Sequence, residues 1–70
     1  MKQSLLSVMI KNGDRQSDLA NALGISQPAL NSRINGHVDF RLNELRAIRK
    51  RYGLSADEMW VIFFAPQVSN

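Results

Sequence analysis

Cysteine is absent from this chain of 70 residues. That excludes a disulfide scaffold and any thiolate metal site, the usual staples of small secreted domains. No apolar run approaches the roughly 20 residues needed to span a bilayer, and no signal-peptide core is visible. The longest apolar run is Met59 to Ala65. A phosphate-binding loop, a nucleophile elbow and a set of metal ligands are all missing. The single histidine, His37, follows Gly36 in a loop, and no carboxylate stands at a helical spacing that would orient it. Asp57 and Glu58 are accounted for by helix capping. The expectation is therefore no enzyme, no metal, no cofactor, no membrane and no small-molecule ligand. There are no internal repeats and no low-complexity segments, and no stretch alternates strictly over strand length, so strands are not expected.

What remains is a short, basic, ordinarily apolar chain. Hydrophobic residues make up 44% and the net charge is +3, which suits a folded domain and is compatible with a nucleic-acid partner. The length supports one domain, residues 1–70, burying only about 60% of its unfolded surface. Gly13, Gly24, Gly36, Gly53 and Pro66 divide it into segments that each read as one helix. The first runs from about Gln3 to Lys11. The second runs from about Arg15 to Leu23, with Asp14 as its expected N-cap. The third follows Ser26, a good cap, with Pro28 in its first turn. The fourth spans Leu42 to Tyr52, with Leu42, Leu45, Ile48 and Tyr52 on one face and Arg46, Arg49, Lys50 and Arg51 elsewhere. The fifth opens on a capping box, Ser55 and Glu58, and stops before Pro66. The tail, 66–70, is expected to be loosely held.

The stretch Gly24 to Gly36, "GISQPALNSRING", carries the functional signal. A helix, a short turn with a glycine, and a second helix form the helix-turn-helix pattern, here about 15–36. Ala20 is small where the second helix crosses. Gly24 permits the turn, Ile25 plugs it, and Leu19, Leu23, Leu30 and Ile34 lock the two helices. With Leu30 and Ile34 inward, Pro28, Asn31, Ser32 and Asn35 turn outward, and Gln27 projects past the helix end. Amides and hydroxyls suit base edges: an amide can pair with adenine through one donor and one acceptor.

The segment "QSDLANALGISQPALNSRING" resembles the helix-turn-helix of Cro/cI-type phage regulators, within the xenobiotic-response-element-type group of transcription factors. "HVDFRLNELRAIRKRYGLSADEMWVIFF" is similar to their fourth and fifth helices. The resemblance runs from about residue 3 to 64. It implies an all-α, compact five-helix, lambda-repressor-like DNA-binding domain that regulates transcription as a homodimer on a two-fold operator, in the cytoplasm of a bacterial host and associated with its nucleoid. It further implies that Ser26, Gln27, Pro28, Asn31 and Ser32 face base edges, with Pro28 placed for a thymine methyl. Gln16 and Asn35 would meet phosphate, the latter with its following turn. Arg33 would either reach a phosphate or lay its stem over the core edge. The pattern often has Thr or Ser where this chain has Arg15 and Arg41; each exchange loses a cap and adds a charge, and both are read as phosphate contacts.

The segment "MWVIFFAP" has more apolar surface than a domain this small can bury. Trp60 and Phe63 are expected to finish the core. Val61, Ile62, Phe64 and Pro66 are expected to form a dimer contact. The alternative is a modulator or antirepressor that binds another repressor protein through this same helix.

Overall fold

A computed structural model describes residues 2–64. Among them the chain forms five helices and no strand. They are α1 (Lys2–Lys11), α2 (Gln16–Leu23), α3 (Gln27–Ile34), α4 (Leu42–Tyr52) and α5 (Ala56–Met59), the last continued by a π-helical turn, Trp60–Phe64. The tail 66–70, with Pro66, lies outside the described residues.

Each of the first four helices stops in the same way. The residue after the closing glycine turns its N–H back onto a carbonyl of the last turn: Asp14 to Met9, Ile25 to Ala20, His37 to Ser32, and Leu54 to Arg49. This is the Schellman closure, which satisfies carbonyls that the helix leaves open. It matters most at Gly24, where φ is +68° and the chain must reverse within three residues. A side chain there would strain the turn.

The helix starts are less uniform. Ser26 caps α3 by accepting from the Ala29 N–H at 3.2 Å. Ser55 and Glu58 form the expected reciprocal box at 3.1 and 3.0 Å. The cap of α2 is Arg15, not Asp14. Asp14 is drawn off to the end of α4, where Arg51 donates to both of its carboxylate oxygens at 2.7 Å and the Tyr52 hydroxyl donates to one of them.

The core is built from Leu5 and Met9 of α1, Leu19 and Ala20 of α2, Leu30 and Ile34 of α3 and Ile48 of α4, closed by Leu54, Met59 and Ile62. Leu23 and Ile25 pack against its edge, as the pattern predicts. Three expectations fail. Leu42 is 63% exposed, while Glu44, two residues on, is 3% exposed. The inward register of α4 runs through Glu44 and Ile48, four residues apart, because a buried arginine of α3 holds Glu44. In α5 the widened π turn places Met59 and Ile62 inward. Trp60, expected in the core, is 57% exposed; Ile62, expected at an interface, is 5% exposed. Phe63 does join the core edge and meets Phe40 edge to face, with ring centroids 5.5 Å apart.

Candidate nucleic-acid interface

The α2–turn–α3 unit is fixed on both sides. Within it, Leu19 and Ala20 meet Leu30 and Ile34 in the core. From outside, Arg33 on α3 reaches toward α4. Its Nε donates to Glu44 Oε1 at 2.9 Å and its Nη1 to the Ala29 carbonyl at 3.1 Å. Glu44 Oε1 also accepts the Arg41 backbone N–H at 2.8 Å. One carboxylate thus caps α4 and anchors α3.

Arg33 is 8% exposed. A guanidinium so buried, with its charge paired to Glu44 and a second hydrogen bond given to Ala29, is not a free cation for phosphate. Arg33 is a structural residue, and the expected phosphate contact is corrected.

The opposite side of α3 carries polar groups. Gln27, Pro28 and Asn31 are exposed, and Ser32 is half-buried. Ser26 is exposed, but its oxygen accepts from Ala29, so its hydroxyl hydrogen is what it can offer outward. Asn35 does not point away from the helix. Its Nδ2 donates to the Asn31 carbonyl and to Asn31 Oδ1, both at 2.9 Å. The turn after α3 was expected to meet the DNA backbone. Its N–H groups at Gly36, His37 and Val38 instead donate to the carbonyls of Arg33 and Ser32.

Two helix starts have an arginine at the cap. Arg15 and Arg41 are both exposed, in extended backbone geometry, and neither side chain closes its helix. A guanidinium has no acceptor, so no side chain at the cap position covers the first-turn N–H groups. The carboxylate three residues on, Asp18 or Glu44, takes the backbone N–H of each cap arginine, so each helix start already carries a negative charge beside its arginine. Gln16 is exposed at the first position of α2. Arg15 is tethered by Asp18, its Nε donating at 3.2 Å. Hydrogen bonds from the Arg15 side chain, and then from its backbone N–H, hold the Asp18 carboxyl below the usual carboxylate range.

Sequence reasoning missed Glu44 and Asp14. Glu44 had one visible signal, its place three residues after the cap position, but its pairing with Arg33 depends on how α3 and α4 cross. Asp14 and Arg51 are far apart in the chain and carry no joint signal.

Among the described residues no group of acidic, histidine or cysteine side chains could hold a metal, and no helix is long and apolar enough to cross a membrane. A helix pair locked by a tight glycine turn, with polar side chains outward on its second helix, defines a helix-turn-helix DNA-binding domain. A helix-turn-helix family model matches residues 5–59, and the chain belongs to that family of transcription regulators, whose domain is typically not an enzyme. No curated protein and no solved structure matches the chain.

Proposed function

We propose that this chain is a phage Cro/cI-like repressor, one domain of residues 1–70, that binds a two-fold operator as a homodimer in the bacterial cytoplasm. The observation that carries the reading is the outward face of α3, where Gln27, Pro28 and Asn31 stand exposed on a helix whose other side is locked into the core. In this reading Ser26, Gln27, Asn31 and Ser32 meet base edges and Pro28 meets a thymine methyl. Arg15, Gln16 and Arg41 meet phosphates at the starts of α2 and α4.

The second copy docks on α5. Trp60, Val61 and Phe64 are exposed there, and Trp60 stacks on Phe64 with centroids 6.0 Å apart. One groove beside α5 is lined by Leu42, Trp60 and Phe64 with Arg46 and Arg49. The groove on its other side is lined by Val8 and Val61 with Asp57 and Glu58. A two-fold contact can set the basic side of one copy against the acidic side of the other. Ile62, being core, is left out of this contact; Pro66 lies outside the described residues. The exposed Leu42–Trp60–Phe64 patch also favours the second reading, capture of another repressor protein.

Selection of bound sites from random DNA tests the proposal, with oligomeric state measured alongside. The expected result is a two-fold site whose halves lie about 34 Å apart, one turn of B-DNA. Gln27→Ala should lose about 1–3 kcal/mol on that site and less on random DNA. Equal weakening on both would remove Gln27 from base readout. No DNA binding at low salt, together with binding of another repressor, would establish the second reading.

A further inference from the structure

Charges of opposite sign flank α5 at the same height along the helix. On the side toward α4, Arg46 and Arg49 lie with Leu42, Trp60 and Phe64. Arg49 is held near the start of α5, because its Nε donates at 3.1 Å to the carbonyl of Leu54, just before that helix begins. On the side toward α1, Asp57 and Glu58 of the first turn lie with Val8 and Val61. Glu58 is already engaged by the Ser55 N–H. Arg46, Arg49 and Asp57 are exposed and belong to no ion pair among the described residues. The start of α5 therefore has an unmatched cation on one side and an unmatched carboxylate on the other.

A second copy can meet α5 about a two-fold axis in two ways. Rotation about an axis along α5 keeps height and exchanges sides. The basic side of each copy then faces the acidic side of its partner, start against start. Rotation about an axis across α5 keeps sides and reverses height. Arginines then face arginines, and Asp57 is carried to the far end of the partner's helix. Like charges set together across an interface are costly, and matched ones fix its register. The rotation that matches the charges also lays the exposed Trp60–Phe64 stack of one copy over Val61 of the other.

We infer that the two-fold axis of the dimer runs along α5, that Arg49 of each copy, with Arg46 beside it, pairs with Asp57 of the other, and that Val61 of one seats against Trp60 of the other. This rests on the homodimer reading above and adds the sense of the contact and its charge pairs. Asp57 gains a role beyond the helix start, where the sequence alone placed it.

The test is association of wild type, Arg49→Glu, Asp57→Arg and an equal mixture of the two variants. Sedimentation and cooperative binding to the selected two-fold site measure it, with circular dichroism of each protein. Either variant alone sets like charges together and should associate about tenfold more weakly than wild type, the scale of two exposed ion pairs. In the mixture one copy is acidic at both positions and the other basic at both. The mixed dimer regains its pairs, and association should return close to the wild-type value. Arg46→Glu, which leaves the Arg49 bond to Leu54 intact, is a second acidic variant and should be rescued by Asp57→Arg in the same way. No recovery in either mixture, from variants that keep wild-type helical content, overturns the inference and leaves the homodimer standing. Arg49→Gln reads the axis directly: it should loosen the dimer, whereas unchanged or tighter association overturns the inference. A wild type that stays monomeric by both measurements overturns the homodimer reading and the inference with it.

Discussion

Asp14 shows how one side chain can be turned from its local use by a distant partner. It stands just before α2, where a carboxylate would ordinarily cap the helix. Instead it takes two hydrogen bonds from Arg51 and one from Tyr52. The first effect on its carboxyl is the hydrogen bond from Arg51, and the net result is a pKa below the usual carboxylate value. Burial pushes the Tyr52 hydroxyl up, above the ordinary phenol value, so it stays protonated and donates. The stabilisation from a depressed carboxyl is present above its unfolded pKa and is lost as pH falls through the folded one. Asp14→Asn should therefore be less stable than wild type near neutrality, by about 1–3 kcal/mol for charge-assisted bonds. The gap should close as pH falls below about 4. Urea denaturation of both proteins across that range checks it; a gap that persists in acid would show that the clasp acts through packing.

At the scale of elements, the contact that counts most is between α3 and α4. Removing one partner of a buried ion pair leaves the other charge unsatisfied, at a cost of about 3–5 kcal/mol. Arg33→Ala is expected to lose that much stability, a large share of what a small domain has. Arg41→Ala should leave stability nearly unchanged, because its backbone N–H to Glu44 is kept. It should lower the salt slope of log K by about one unit. Denaturation and salt titration of the two variants separate the roles. A stable Arg33→Ala with a reduced slope would return Arg33 to the phosphate-contacting set.

The contrast also marks what could be read from the chain alone. Helix ends were legible because closure by glycine and capping by Ser26 and Ser55 are local events, decided within five residues. The inward strip of Leu19, Leu23, Leu30 and Ile34 was legible from its period. The pairing of Arg33 with Glu44 was not, since eleven residues and a loop separate them and only the helix crossing brings them together. The exposure of Trp60 was not legible either. A period of 3.6 residues cannot foresee a π turn, which widens the helix and shifts which residues face inward. The Asn31–Asn35 contact lay between, its spacing visible but its donor and acceptor sense hidden until the carbonyl is considered.

For the whole molecule the proposed contact between two copies is what decides the reading. The two sides of α5 differ in charge, and the exposed rings of Trp60 and Phe64 line the basic one. Phe64→Glu is expected to leave the helical content intact, since the side chain is exposed, yet to abolish cooperative binding to a two-fold site. Circular dichroism with binding to full and half sites would show this. Normal binding to the full operator would move the interface elsewhere.

The buried Arg33–Glu44 pair also bears on how such a regulator can change its target. Gln27, Pro28 and Asn31 are exposed and Ser32 half-buried; none of the four belongs to the core or the ion pair. Arg33, between them and Ile34, is tied to a residue on another helix. In the proposed reading, variation at 27, 28, 31 and 32 searches new operators at little risk to folding, whereas position 33 can change only together with 44. The alphabet the proposal gives this helix for addressing DNA is open at four positions and closed at the next.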